Sequence, residues 1–195
     1  YRIPSFVTQA GITLDVTLAY KTYGELAPAR DNVVLVPTFY GGRHAEAAYL
    51  VGPGRVLDPA RYFVVIVNML GNGCSTSPSN TPAPYGRGGF PPVTVYDNVV
   101  CQHKLVTEHL GLSRLRLVTG FSMGGLQSFQ WGALHADMLD AIAPICGAAR
   151  IAAHNRVFVA SAVNALKLDP HYHDGWYERP PLRGLLAFGH VYAAW

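Results

Sequence analysis

The 195-residue chain is 50% hydrophobic and only 14% charged, enough to bury one proper core and too little for two large independent domains. Its formal net charge of +3 is spread without a Lys/Arg run, which excludes the basic stripe that binding a phosphate backbone needs, so no nucleic-acid partner is expected. No stretch reaches the roughly 18 uninterrupted apolar residues of a membrane span, and the start lacks the basic-then-apolar pattern of a signal peptide, so a soluble, cytoplasmic chain with no membrane partner is expected.

In chain order, the first structural signal is the alternation of Ile12, Leu14, Val16 and Leu18, the period of a half-buried strand suited to an antiparallel sheet edge. Residues 33–36 and 62–67 are continuously apolar, as expected of parallel strands covered by helices on both faces. Residues 71–92 are crowded with Gly, Pro, Ser and Asn and predict a long ordered loop at one end of the sheet. Asp97 can cap a helix with Val100, Leu105 and Leu110 near one face and Gly111 as its stop. A strand over residues 115–118 then leads through a Gly-rich turn into a helix whose face is Leu126, Phe129, Ala133 and Leu134, followed by the apolar run 141–145. This alternation predicts an α/β fold, a mainly parallel sheet flanked by helices, over residues 1–150. Residues 151–195 have helical composition, broken over 169–181, and predict the beginning of a helical cap or lid.

Cys74, Cys101 and Cys146 are odd in number and form no CxxC pair, which argues against a disulfide framework and against a structural metal site. Cys101 and Cys146 stand in apolar surroundings, where a thiol serves as a small core hydrophobe. No metal is expected.

Gly120-Phe121-Ser122-Met123-Gly124 matches the GxSxG nucleophile elbow, a tight strand-to-helix turn that lifts a serine hydroxyl above the sheet edge. The context agrees, with a strand-like run before it and a helical run after it. A serine that merely capped the helix would not require Gly120, Gly124 and Gly125 together. Ser122 is therefore the candidate nucleophile for an ester or thioester carbonyl. The oxyanion that forms needs two donors. The Met123 backbone N–H supplies one, and the loop Thr38-Phe39-Tyr40-Gly41-Gly42 supplies the other through Tyr40 N–H, with Gly41 as the near alternative and a plain Gly-Gly turn as the competing reading.

Further residues join this turn in a fixed order: Asn68-Met69-Leu70-Gly71, Ser75-Thr76-Ser77-Pro78-Ser79, Tyr85-Gly86, Phe90-Pro91, Asp97, Val99, Gln102, Gln127 and Trp131. Together they resemble the homoserine O-acetyltransferase family of α/β-hydrolase-fold enzymes, and Asp169-Pro170, Gly175, Tyr177 and Gly184-Leu185 continue the likeness into its helical cap. The resemblance implies that Ser122 takes an acyl group from acyl-CoA, as co-substrate and not as bound cofactor, and passes it to a small-molecule alcohol. A His acts as base and an Asp orients it. In that family both follow the cap, so they are expected beyond residue 195, in more of the same chain or in a second chain, with a homodimer as the expected assembly. The local His44, His103, His109, His135 and His154 are poor substitutes.

Three departures bear on substrate. Val163-Asn164-Ala165-Leu166 stands where members carry Arg-Gln-Ala-Ile, Phe188-Gly189 where they carry Ala-Arg, and Tyr40-Gly41-Gly42 where they have Leu-Thr-Gly. Without those cations a carboxylate loses its charge-assisted hydrogen bonds, so the expected acceptor is not homoserine. A serine ester hydrolase of the same fold is the alternative, and a catalytically incomplete fragment the third reading.

Overall fold

The computed structural model describes residues 1–194 and contains two compact units. The first comprises Tyr1–Asn80 and Pro91–Ala149, and the second Thr81–Phe90 together with the chain from Arg150 onward.

In the first unit, strands β1 (Arg2–Val7) and β2 (Thr13–Thr17) form an antiparallel pair of their own. The main sheet has the order β3-β5-β4-β6-β7, built from β3 (Tyr20–Tyr23), β4 (Val33–Pro37), β5 (Phe63–Val67), β6 (Leu117–Phe121) and β7 (Ile142–Ile145). Only β3 runs antiparallel, against β5. The antiparallel edge of the sheet is thus β3, not the segment with the alternating pattern. That segment, β2, keeps Leu14 and Val16 buried while pairing with β1 alone.

All five residues of β4 and the last four of β5 are buried, because helices and loops cover both faces of a central parallel strand. Val34, Val36, Val64 and Ile66 form one cluster with Ala47 and Leu57. Each of the Val, Ile and Leu side chains among them contributes about 1.5–3 kcal/mol when fully buried. A short helix, α1 (His44–Ala47), follows β4.

Helix α2 (Val95–Lys104) runs on into a π turn at Leu105–His109 and stops at Gly111, whose φ is +61°. Its N-cap is Thr94 rather than Asp97: Thr94 Oγ1 accepts from Asp97 N (3.2 Å), and Asp97 Oδ2 accepts from Thr94 N (2.8 Å). This is a reciprocal capping box, in which a residue at the third helical position satisfies the cap's own N–H. Asp97 Oδ1 also accepts from Gln9 N at 2.7 Å, so the buried carboxylate joins helix and N-terminal segment. The buried side of α2 is Val99, Cys101 and Gln102, continued by Leu105 and Val106, instead of Val100 and Leu110. Burial pushes the Cys101 thiol up to about 12, with Asp97 adding to the rise. Cys146, by contrast, is exposed just past β7 and is no core residue.

Helix α3 (Met123–Leu134) reverses the expected face. Its buried residues are Gly124, Gly125, Gln127, Ser128 and Trp131, while Ala133 and Leu134 are exposed. Close backbone approach selects the glycines, and the two polar side chains find partners inside, so polarity does not keep this face out of the core.

In the second unit, α4 (Ala153–Lys167) and α5 (Leu182–Ala193) pack against each other. Asp169 joins them: Oδ2 accepts from Gly184 N at 2.8 Å and Oδ1 from His171 N at 2.9 Å. A side chain at Gly184 would lie 2.6 Å from Leu166 O. The Gly-Pro-rich stretch Thr81–Phe90 belongs to this unit, with Trp176 seated against Gly88 and Gly89, and Arg87 donating to Tyr177 O. No helix of the described residues is long and apolar enough to cross a membrane.

Candidate active site at the exits of β4 and β6

Ser122 sits between β6 and α3 with φ 52° and ψ −113°. A non-glycine residue reaches this region only at a cost on the order of 1–3 kcal/mol, which the surroundings must offset. They do so from three sides. Ser122 N donates to Ile145 O (2.8 Å), anchoring the turn to β7, and Ser122 O accepts from Leu126 N (3.1 Å), beginning the helix. The glycines close the third side: an added Cβ at Gly120 would lie 2.6 Å from Gly124 C, and one at Gly124 would lie 2.6 Å from Pro37 O. Gly125 and Gly147 meet backbone to backbone in the same way. The serine side chain makes no capping hydrogen bond. Ser122 therefore occupies the cap position without doing a cap's work, and its hydroxyl is held at the head of a 12-residue helix, where the aligned peptide dipoles favour negative charge.

Since β4 and β6 are neighbours in the sheet, the turn after β4 lies beside the elbow. Gly42 N donates to Phe39 O (3.0 Å), closing a turn over residues 39–42 with Gly41 at φ +73° in its third position. That position needs a left-handed residue in turns of this kind, hence glycine. The Phe39 ring fills the space above Gly42 and meets the Phe121 ring edge to face at 5.9 Å. Tyr40 occupies the second position of the turn and is 55% exposed. Ser122, Met123 and Tyr40 thus stand on two adjacent strand exits.

Behind this pair runs a buried polar ladder. Trp131 Nε1 donates to Gln102 Oε1 (2.8 Å), Gln102 Nε2 donates to Gln127 Oε1 (2.6 Å), and Gln127 Nε2 donates to Thr38 O (2.9 Å) and Met123 O (3.2 Å). Gln102, Gln127 and Trp131 are all fully buried. Thr38 Oγ1 in turn accepts from Met69 N at 3.0 Å. The role of these residues is not readable from a turn motif. The available signal is the four-residue spacing Met123, Gln127, Trp131 on a helix that has no reason to bury an amide otherwise.

The loop after β5 is ordered by its own amides. Asn68 Nδ2 donates to Ala19 O and to His44 Nδ1 (3.2 Å), and Asn68 Oδ1 accepts from His44 N and Asn72 Nδ2. Because the Asn68 amide must donate here, His44 Nδ1 accepts, and its proton rests on Nε2. His103 and His135 lie elsewhere, stacked at 4.0 Å between α2 and the end of α3. Among the described residues, no group of three His, Cys, Asp or Glu side chains gathers as a metal site.

The profile of the alpha/beta hydrolase fold matches residues 31–195. The chain belongs to that family. It is 39% identical over 162 residues to an ethyl acetate hydrolase of Pseudomonas veronii, covering 82% of this chain and 46% of that protein. It is 40% identical over 188 residues to a homoserine O-acetyltransferase of Gluconobacter oxydans, covering 86% and 47%. Among solved structures, the acetyl esterase MekB superimposes with a TM-score of 0.96 at 33% identity, over 100% of this chain and 57% of that one. The chain spans about half the length of the curated relatives it matches.

Proposed function

We propose that the full-length protein is a serine esterase that hydrolyses small, uncharged acyl esters through an acyl-Ser122 intermediate. The observation that carries this reading is the strained, uncapped Ser122 at the head of α3 with backbone packed against backbone around it. Ser122 Oγ adds to the ester carbon, and the proton it gives up passes through a general base to the departing alcohol. Water then attacks the acyl-serine, the carboxylic acid leaves, and Oγ regains its proton. The negative oxygen of each tetrahedral intermediate is met by Met123 N–H and by the turn after β4, through Tyr40 or Gly41. The base and its orienting Asp are proposed to come from outside residues 1–195, since His44 already commits Nδ1 to Asn68.

Ester cleavage is favoured over transfer to homoserine by the 39% identity to an ethyl acetate hydrolase and the 33% identity to the acetyl esterase MekB. The 40% identity to a homoserine O-acetyltransferase supports the second reading, acyl transfer from acyl-CoA, on which the chemistry at Ser122 is the same and water is replaced by an alcohol. The full-length protein incubated with ethyl acetate, and separately with acetyl-CoA with and without homoserine, separates the two. Acetate released from the ester, with no homoserine-dependent thiol release from acetyl-CoA, is the expected result. Thiol release that requires homoserine would replace hydrolysis with transfer.

A further inference from the structure

Gln127 has one carboxamide and uses it to hold both strand exits at once. Its Nε2 carries two hydrogens, one directed to Thr38 O at the root of the turn after β4 and one to Met123 O in the first turn of α3. Its orientation is not free. An indole N–H can only donate, so Trp131 forces Gln102 to present Oε1 to it and Nε2 to Gln127, and Gln127 in turn to present Oε1 to Gln102 and Nε2 to the two carbonyls. One donor at the far end of the ladder fixes the sense of every bond along it. At the near end, Gly124 rests directly on Pro37 O, so the separation of the two exits is set by contact on one level and by the amide on the next.

We propose that Gln127, oriented by Trp131 through Gln102, is a positioning residue that sets the spacing of the two backbone donors receiving the oxyanion, Met123 N–H and the donor of the 39–42 turn. This rests on the acyl-serine reading of Ser122. An oxyanion hole works by being organised before charge develops. Loosening the ladder therefore weakens the tetrahedral state while leaving the ground-state ester bound as before.

The test uses the full-length protein and three variants, Gln127→Leu, Gln102→Leu and Trp131→Phe, with a short acetate ester as substrate. A methyl trifluoromethyl ketone serves as a probe, because Ser122 adds to its carbonyl and leaves an oxyanion in the hole. Gln127→Leu is expected to lower kcat by about 10²-fold, the scale of one oxyanion donor, with KM moving less than about twofold. The ketone's Ki should rise by the same factor as kcat/KM falls. Trp131→Phe, remote from the ester, is expected to show the same proportionality at about tenfold or less. Folded variants with unchanged kcat and ketone Ki, or with changes confined to KM or to Tm, would overturn the proposal. Should Gln127→Leu fail to fold, the other two variants decide by the same ratio. Failure of all three to fold would show a purely structural ladder and also overturn it. Failure of the underlying reading has a different signature: the unmutated protein would not be labelled at Ser122 by a fluorophosphonate.

Discussion

Helix α3 and the pair α4 and α5 solve opposite problems. Helix α3 buries two glycines, Gln127, Ser128 and Trp131 and leaves Ala133 and Leu134 exposed. Helices α4 and α5 bury one small residue each, Ala162 and Gly184, while Val157 is 66% and Leu186 65% exposed. Where a backbone must come within contact of another backbone, side-chain size and hydrogen-bond capacity decide which face goes in. Where two helices pack on each other through small residues and one ring pair, Phe158 against Tyr192 at 5.5 Å, composition on the remaining faces is loosely constrained by the unit itself. The first arrangement should be intolerant of single added atoms, and the second should be most sensitive where Asp169 ties the helices together through Gly184 N.

The largest effect is expected at the nucleophile. Ser122→Ala in the full-length protein should lower kcat by about 10⁴-fold or more, the scale for loss of a triad serine, with little change in Tm. Esterase assays together with thermal melts check both halves. Gly124→Ala comes next. Its Cβ has backbone on the facing side, 2.6 Å from Pro37 O, which cannot yield as a flexible side chain would, so activity should fall to about 1% or less and Tm should drop. A fully active Gly124→Ala protein would mean that the two exits are not held as tightly as their contact implies.

In the second unit Asp169→Ala should be milder for activity and selective for stability. It leaves Gly184 N and His171 N without their acceptor, and a loss of a few degrees in Tm is expected. Those same N–H donors hold the Asp169 carboxyl below its usual range, with the Gly184 bond the leading cause. Its contribution is therefore present above the unfolded pKa of about 4 and lost as pH falls through the depressed value.

The smallest effect is a pH dependence in the first unit. Burial lowers the pKa of both His103 and His135, and for His135 the neighbouring His103 charge adds to it; Asp137 opposes the shift at both, Glu108 opposes it at His103, and Lys104 reinforces it there. His135 Nε2 is buried without a partner. The unfolded chain takes up these protons near pH 6.5 and the folded chain only lower. Stability is thus complete above about 6.5 and declines as pH falls toward the depressed values. A Tm that drops between pH 7.5 and 5.5, less steeply in His135→Phe, is the expected result.

Much of the site could be read from residue order. Gly120, Ser122 and Gly124 define the elbow, and continuous apolar runs marked β4 and β5. The rest depended on distance along the chain. Strand β3, Tyr-Lys-Thr-Tyr, has no apolar signature of its own and exists because β5 pairs with it more than 40 residues later. Strand β1, with its polar interruption at Ser5, likewise depends on β2. The buried face of α3 was hidden because Leu126 and Phe129 outweigh glycine in any periodicity argument, although the glycines touch the sheet. Gln127 was visible as part of a family pattern, but its work lies in a bond to Thr38, 89 residues away.

Trapping the acyl-enzyme shows directly whether Ser122 is the nucleophile. The full-length protein is mixed with an activated acetate ester, quenched in acid within the first turnovers, digested, and mapped by mass spectrometry. An acetyl group on the peptide containing Ser122, absent from Ser122→Ala and decaying in water as acetate appears, is expected if Ser122 is the nucleophile. Turnover with no acetyl group on Ser122 at any time, or with acetylation at another residue that persists in Ser122→Ala, would contradict that assignment.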